Sequence, residues 1–202
     1  MFYEPKNGHG LPHDPSKAIV SPRPIGWVST LSGEGALNLA PYSFFNALTT
    51  SPFLVMFSSE GEKDSVLNCR ATGEFVINLA SRDLAEAMNA SAVDAPHGTN
   101  EFDYAKLHTA PSTLVAPPRV ARAHAALECK VTQIFQPVGL DGEPSAATVV
   151  IGEVIGVYID DDVLTNGLFD VVKAGNLARL GYMDYTSVSE TFAMRRPRWK
   201  AD

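Results

Sequence analysis

The sequence predicts a mainly β protein with short helices, arranged as a closed or partly closed antiparallel barrel. Several β-branched and aromatic runs are separated by turn signals, whereas segments with helical spacing are few and short. The chain contains no Gly-x-Gly-x-x-Gly motif, which disfavours a doubly wound parallel sheet that binds a dinucleotide. An antiparallel barrel removes its sheet edges without crossover helices, so this pattern favours a barrel.

The elements follow in order from the N-terminus. Residues 1–20 are rich in Pro, Gly and His and lack apolar periodicity, which predicts an N-terminal arm on the surface. Residues 25–31 predict the first strand, and the Ser-Gly-Glu-Gly that follows predicts a hairpin turn. Residues 36–50 predict a polar, aromatic bend, and residues 53–57 predict a fully buried strand.

The middle of the chain adds two helices and a strand. Residues 63–70 predict a helix with Asp64 as its N-cap, because a carboxylate can accept an orphan backbone N–H, and with Gly73 as its stop. Residues 75–79 predict another strand. Residues 81–92 predict a second short helix that is capped by its first serine.

The second half begins with an irregular segment over residues 93–118, which holds several prolines and one candidate helical turn. Long excursions of this kind are often functional or cover a site. Residues 125–135 and 146–159 predict a long hairpin, and two glycines in its second strand indicate a bend or a bulge. We expect one domain over residues 21–191, followed by a basic, aromatic tail over residues 192–202 that either docks across a dimer or stays solvated.

Composition and charge narrow the function. The 202 residues carry a formal charge of −7, which offers no general attraction to nucleic acid or to an anionic membrane. No apolar run of membrane-spanning length and no signal peptide is present, so we expect a cytoplasmic protein with a small-molecule ligand. Cys69 and Cys129 lack CxxC spacing and the histidines are scattered, so neither a disulfide framework nor a metal site is expected.

The densest group of polar and aromatic side chains lies between residues 23 and 65. Hydroxyl, amide and cationic groups alternate there with flat apolar ones, which suits a ligand with a phosphate at one end and a planar ring at the other. The helix starting near residue 63 can bind a phosphate through its N–H groups, together with Ser58, Ser59, Lys63 and Ser65. The candidates for the polar edge of a ring are Ser29, Thr30 and Asn38. Any one of these residues fits a turn or a core position equally well, so the prediction depends on their number and order.

Eight motifs, taken in order, resemble those of the flavin reductase-like, FMN-binding split-barrel family. They run from about Ser21 to Tyr185 and read SPRPIGWVST, NLAPYSFFN, KDSVLNC, FVINL, NEFDYAKL, LECKV, VIGEVIGVYIDDDVL and LARLGYMDY. No single motif is as specific as a P-loop, but all eight in this order are hard to obtain by chance. The resemblance implies a six-stranded antiparallel split barrel with Greek-key character, a homodimer, and FMN held near the interface between the subunits.

The resemblance also implies which residues bind the cofactor. Residues 23–30 and 38–45 would line the isoalloxazine ring and the ribityl chain, residues 58–65 would lie towards the phosphate, and a late arginine would approach the cofactor or close the interface with Tyr185. Tyr182 follows a glycine where many relatives have two glycines, and threonine is frequent at position 65. The predicted cofactor-binding set is Arg23, Pro24, Ser29, Thr30, Asn38, Ala40, Tyr42, Ser43, Phe44, Ser58, Ser59, Lys63, Ser65 and Arg179.

The activity implied by the resemblance is that of an NAD(P)H:flavin reductase, which transfers hydride from C4 of the nicotinamide to N5 of the flavin. Such a transfer requires stacked rings at near-attack distance and no dedicated acid or nucleophile, so we nominate no catalytic residue. Two alternatives stay open: a non-catalytic FMN-binding or electron-carrier protein, and a flavoenzyme that acts on another small substrate. In the reductase case a monooxygenase component is a candidate partner.

Overall fold

A computed structural model describes residues 1–199, so residues 200–202 of the expected tail lie outside the described residues. In chain order the helices are α1 (Ser16–Ile19), α2 (Asp64–Thr72), α3 (Ala85–Ala90), α4 (Glu101–Tyr104) and α5 (Val171–Ala174), with 3-10 turns at Pro5–Asn7, Arg82–Leu84 and Asp161–Val163. The strands are β1 (Arg23–Pro24), β2 (Gly26–Leu31), β3 (Leu37–Tyr42), β4 (Phe45–Thr50), β5 (Phe53–Glu60), β6 (Glu74–Leu79), β7 (Thr109–Ala110), β8 (Arg119–Val120), β9 (Ala125–Phe135), β10 (Ala147–Ile159), β11 (Leu164–Thr165), β12 (Leu168–Phe169), β13 (Leu177–Arg179) and β14 (Tyr185–Ser187).

The longer strands form one antiparallel sheet in the order β3-β2-β6-β9-β10-β5-β4. The sheet curls so that β3 and β5 approach each other across the core, where the rings of Tyr42 and Phe57 lie 4.8 Å apart between centroids. Helix α2 contacts β2, β3, β6 and β10 and packs against the curled sheet. The prediction of a mainly β, antiparallel split barrel is confirmed.

The main sheet has seven strands where six were expected. The additional strand is β4, which pairs with β5 at the edge of the sheet and occupies the segment for which the sequence predicts a bend. Its residues are half-buried or exposed, and its sequence lacks the alternation of apolar and polar residues that marks a strand. Pairing with β5 through a tight turn therefore determines its conformation.

Two hydrophobic cores lie on opposite faces of β2, because successive residues of a strand point to opposite sides. Trp27 packs with Leu39, Met88 and Phe102, in the core that α3 and α4 cover. Val28 faces the other way and belongs to the core inside the curled sheet. Strand β2 is thus an interior strand buried on both faces, and β3 pairs beside it at the edge of the sheet.

Helix α2 begins differently from its prediction. Lys63 occupies the N-cap position without a side-chain cap, and Asp64 is the first helical residue. The Asp64 carboxylate accepts the N–H of Gly98 at 2.8 Å and contacts the ring of His97, so the predicted N-cap at Asp64 is wrong. Gly73 ends the helix with a left-handed φ of 71°, as predicted.

The second predicted helix is divided into a 3-10 turn and α3. Ser81 occupies the N-cap position of the 3-10 turn, as predicted, but its side chain makes no capping hydrogen bond, because its hydroxyl donates to the carboxylate of Asp83. The helical turn expected in the irregular segment is α4, whose N-cap Asn100 accepts the N–H of Phe102 at 3.1 Å.

Strands β5 and β9 differ from their predicted burial. The sequence predicts a fully buried strand, whereas in β5 only the alternate residues Val55, Phe57 and Ser59 are buried, because the other face lies towards the surface. On β9, the alternation is interrupted by Glu128, which is buried because its carboxylate accepts the N–H groups of residues 113 and 114 at 2.8 and 2.6 Å. The irregularities expected at the glycines of β10 are confirmed by register shifts next to Gly152 and Gly156.

Both ends of the described chain lie on the surface. Residues 1–20 include no buried residue, and residues 192–199 have no regular secondary structure. Three large apolar side chains of this tail, Phe192, Met194 and Trp199, are 87%, 83% and 95% exposed. None of the helices within residues 1–199 combines the length and the hydropathy that crossing a membrane requires.

Candidate functional site

A cavity of about 210 Å³ opens at the N-terminus of α2, between β3 and the segment that follows α3. Asn38, Ala40 and Tyr42 contribute the β3 side of its wall, and Lys63 and Ser65 contribute the start of the helix. The fold therefore brings together residues that the sequence predicts in two separate motifs. We call this space the α2 cavity.

Three buried hydroxyl groups near the α2 cavity have no hydrogen-bond partner within residues 1–199. They are Tyr42 Oη, Ser59 Oγ and Thr148 Oγ1. Ser59 and Thr148 lie directly opposite each other on β5 and β10, so their side chains share one face of the sheet. An unpartnered buried hydroxyl costs about 1–3 kcal/mol. A group of three therefore favours a polar ligand atom or an ordered water at this place.

The Tyr42 phenol connects this group to the start of the helix. Burial raises the pKa of Tyr42 above its ordinary value of 10.0, and the nearby hydroxyls of Ser65 and Ser59 partly oppose that shift. Tyr42 is therefore protonated at neutral pH, and its O–H can donate to an anion.

An amide network orients Ser65. Asn38 Nδ2 donates to Ser65 Oγ at 2.9 Å and to Thr30 Oγ1 at 3.0 Å, and Asn68 Nδ2 donates to Thr30 Oγ1 at 2.9 Å. Because Ser65 Oγ accepts this bond, its own proton remains for another acceptor. The first N–H groups of α2 lie in the same turn and precede the intrahelical hydrogen bonds. The arrangement presents donors, which suits an anionic group.

The charges around the α2 cavity are mixed. Lys63 is its cation, and Asp64, Asp94 and Glu101 line the same space. The Asp64 carboxylate is bound to the 97–98 segment. Glu101 accepts the backbone N–H of a β3 residue at 2.9 Å, and burial raises its pKa above 4.5. Two of these three carboxyl groups are thus engaged by donors, which reduces their repulsion of a bound anion.

Ser29 and Thr30 lie inside the protein and are fully buried. Ser29 Oγ donates to the carbonyl of Pro118 at 2.6 Å and accepts Nδ2 of Asn78 at 3.2 Å. Thr30 is the shared acceptor of the amide network. Both hydroxyls therefore hold β2 in place, and Thr30 acts on the α2 cavity through Asn38.

A second group of predicted residues gathers where β3 ends. Arg23 is buried and donates to three backbone carbonyls, that of Lys17 and two others at 2.7 and 2.9 Å, and its Nε lies 3.5 Å from Ser43 Oγ. Pro24 is exposed, and the ring of Phe44 is 43% exposed beneath the Arg23 guanidinium. The N–H of Ser58 donates to the Phe44 carbonyl at 2.8 Å. This region offers a flat apolar surface next to a buried, hydrogen-bonded cation.

Arg179 lies apart from the α2 cavity. It lines a separate cavity of about 630 Å³ together with Arg82 and Tyr185, and we call this space the α3 cavity. The two cavities share no lining residue. Both border the C-terminal part of α3, where Met88 lines the α3 cavity and Ser91, just after the helix, lines the α2 cavity.

Sequence reasoning missed Asn68, Thr148 and Glu101. Asn68 lies within a helix and Thr148 within a strand, and at such positions a polar residue most often faces solvent. Their roles follow only from packing and strand register. For Glu101 the sequence does give an indication, because this residue belongs to the irregular segment that is expected to be functional or to cover a site.

The described residues offer no metal centre and no activated thiol. Within residues 1–199, no group of three His, Cys, Asp or Glu side chains is arranged to hold a metal ion. Burial raises the pKa of Cys69 to about 12, so its thiol is not a nucleophile at neutral pH. The chemistry of this site consists of hydrogen-bond donors, one lysine, three carboxyl groups and apolar surface.

Comparison with known proteins gives a consistent result. The family profile described as flavin reductase like domain matches residues 20–182. An uncharacterized protein of Halalkalibacterium halodurans is 37% identical over 183 residues, which cover 88% of this chain and 87% of that protein. Nitrilotriacetate monooxygenase component B from Bacillus cereus has a similar structure, with a TM-score of 0.86 and 26% identity over 96% of this chain and 98% of that chain. For 2-nitrobenzoate 2-nitroreductase from Pseudomonas fluorescens the TM-score is 0.80, with 27% identity over 92% and 90% of the two chains.

Proposed function

This chain belongs to the flavin reductase-like family, and we propose that it binds FMN at the α2 cavity and works as an NAD(P)H-dependent flavin oxidoreductase. The observation that carries the proposal is the unpartnered buried hydroxyl of Tyr42, which lines the α2 cavity together with Lys63 and Ser65. A phosphate supplies acceptor oxygens to such a group, and it is also stabilised by the positive end of the helix.

The phosphate would be held by Lys63, by the hydroxyls of Tyr42, Ser59 and Ser65, and by the first N–H groups of α2. The Tyr42 phenol is protonated, and Ser65 has its proton free because its oxygen accepts from Asn38. Each of these groups is a donor, so together they satisfy several phosphate oxygens. The chemistry of the donor set therefore fits the phosphate.

The ribityl chain and the ring would follow the edge of β3. Ala40 is small and Pro41 has no N–H, so this part of the wall presents apolar surface and backbone carbonyls. The Glu101 carboxyl lines the same space and can accept from ribityl hydroxyls. Beyond Tyr42, the exposed ring of Phe44 extends the apolar surface on which a planar ring can stack.

A second copy of the chain would complete the site. The α2 cavity of about 210 Å³ is smaller than the roughly 300–1,000 Å³ of ligand pockets, so one chain encloses only part of FMN. Phe44, just before β4, and Leu48, within β4, are 43% and 50% exposed. We therefore propose a homodimer in which the partner covers the ring, and size-exclusion chromatography with light scattering tests it.

When bound, FMN supplies the hydride-accepting ring of the reaction. The residues of this chain supply position and charge. One end of the ligand would be held by Lys63, Ser65 and Tyr42. The Asn38 amide donates to the Ser65 oxygen, so the Ser65 hydroxyl proton is left to donate to the ligand. No residue is required to move a proton or to attack the substrate, which agrees with the raised pKa of Cys69.

Anaerobic mixing of the FMN-loaded protein with NADH or NADPH tests the proposed activity. Loss of the visible flavin absorbance within seconds is the expected result. An oxidised spectrum that persists with both nucleotides contradicts the reductase proposal and favours an electron carrier or an enzyme for another substrate. Excess free FMN or FAD then shows whether the flavin exchanges, as it must if a monooxygenase component receives the reduced flavin.

A further inference from the structure

The α3 cavity has the size of a binding site, and the FMN proposal does not use it. It measures about 630 Å³ and lies between α3 and the β13–β14 hairpin. Cavities that bind small organic ligands measure roughly 300–1,000 Å³. Because it shares no lining residue with the α2 cavity, it needs an explanation of its own.

The floor of the α3 cavity is apolar. Met88 and Leu177 line it and belong to the core that α3 covers. The ring of Tyr185 packs against the same core and contributes an aromatic wall. Methionine adapts its shape to a partner, and contact with these side chains removes a flat apolar group from water, which stabilises it in the cavity.

The rim of the α3 cavity is positively charged. Arg179 donates to the Tyr185 hydroxyl and the Tyr182 carbonyl, and its guanidinium carbon lies 4.4 Å from the centroid of the Tyr185 ring. These contacts fix the plane of the guanidinium and leave its other N–H groups available. Neither Arg179 nor Arg82 forms an ion pair within residues 1–199, and Glu86 is the carboxylate among the lining residues.

We propose that the α3 cavity binds a small organic anion, whose carboxylate pairs with Arg179 and Arg82 and whose planar apolar body rests on Met88 and Leu177. Two arginines against one glutamate make this rim positive in a chain of net charge −7. A guanidinium binds a carboxylate through two parallel hydrogen bonds. A small inorganic ion would leave the apolar floor uncovered, and a neutral apolar molecule would leave both arginines without an anionic partner.

This proposal gives Arg179 a role different from the one that the family resemblance implies. The resemblance implies that Arg179 is a cofactor-binding residue, whereas the fold places it in a cavity that shares no lining residue with the one lined by Lys63 and Ser65. The organic anion and FMN would therefore contact separate sets of residues and would not compete for any of them.

Calorimetric titration of the FMN-loaded protein with benzoate tests the proposal. We expect saturable binding of one benzoate per chain with a Kd of about 1 mM or tighter. Benzamide lacks the charge and acetate lacks the apolar body, so each should bind at least about tenfold more weakly. Arg179→Gln and Arg82→Gln should each weaken benzoate binding by about tenfold or more, since each removes a charge-assisted hydrogen bond.

Arg70→Gln is the matched control, because Arg70 pairs with Glu62 on the surface and does not line the α3 cavity. It should leave benzoate binding unchanged, and Arg82→Gln should leave FMN affinity unchanged. The proposal is overturned if benzoate does not saturate, if both cavity variants bind it like the wild type, or if Arg179→Gln weakens FMN binding instead. Thermal unfolding of each variant separates loss of a contact from loss of the fold.

Discussion

Replacement of Ser65 by alanine is expected to weaken FMN binding without unfolding the protein. Ser65 lies in the first turn of α2, is buried, and accepts a hydrogen bond from Asn38 at 2.9 Å. Its remaining proton is the one we assign to the phosphate. A hydrogen bond to a charged group contributes about 1.5–3 kcal/mol, and each 1.4 kcal/mol corresponds to about tenfold in Kd. The expected loss of affinity is therefore about 10- to 100-fold.

Ser65→Thr is the matched variant, because it keeps the hydroxyl. It should retain affinity within about threefold, since the added methyl group is the only change to a donor of the same kind. Quenching of flavin fluorescence on titration with each variant gives the Kd, and thermal unfolding shows whether the fold is kept. Equal affinity of Ser65→Ala and the wild type would refute the assignment of this hydroxyl to the phosphate.

Three further predictions concern the surroundings of the site. Asp64→Ala removes the carboxylate that ties the 97–98 segment to α2, so FMN should dissociate several times faster in a stopped-flow chase, and protease should cut that segment sooner. Because the pKa of Glu101 is raised in the folded protein, its contribution to the free energy of unfolding is present below pH 4.5 and is lost as the pH rises through the folded value. Glu101→Gln should thus gain stability relative to the wild type with rising pH, as measured by urea unfolding. Gly152→Ala places a Cβ against the ring of Phe75 and should cost about 1–3 kcal/mol of unfolding free energy, whereas Gly33→Ala meets no atom within 4 Å and should cost less than about 0.5 kcal/mol.

Each of these predictions has a clear contrary result. An unchanged dissociation rate in Asp64→Ala would show that the 97–98 segment does not cover the bound ligand. A constant stability difference between Glu101→Gln and the wild type across the pH series would show that this carboxyl titrates normally. Equal stability of the two glycine variants would show that the close approach of β10 to Phe75 is not maintained in solution.

The sequence predicts the barrel well because its strands carry strong local signals. The run from Gly26 to Leu31 is β-branched and aromatic, and the glycines of β10 mark its irregularities. Strand β4 escapes prediction because its partner β5, and not its own pattern, makes it a strand. The prediction that Asp64 caps helix α2 is wrong for a similar reason, since a segment more than thirty residues later binds the Asp64 carboxylate.

The candidate site is predicted in its residue types and only partly in its geometry. Tyr42, Lys63 and Ser65 meet at the α2 cavity as their order suggests. Ser29 is a counterexample, because its hydroxyl is bound within the protein to a carbonyl from a loop far along the chain. The position of Arg179 could not be predicted from the sequence either, since only the tertiary fold shows that it lines the α3 cavity.

The affinity for FMN compared with that for riboflavin tests the central claim most directly, because riboflavin has the same ring and ribityl chain but no phosphate. If Lys63, Ser65 and the buried hydroxyls bind the phosphate, the wild type should prefer FMN by about 100-fold or more, from two or more charge-assisted hydrogen bonds. The double variant Lys63→Ala, Ser65→Ala should lose most of this preference while binding riboflavin as before. Equal affinity of the wild type for the two flavins would contradict the account.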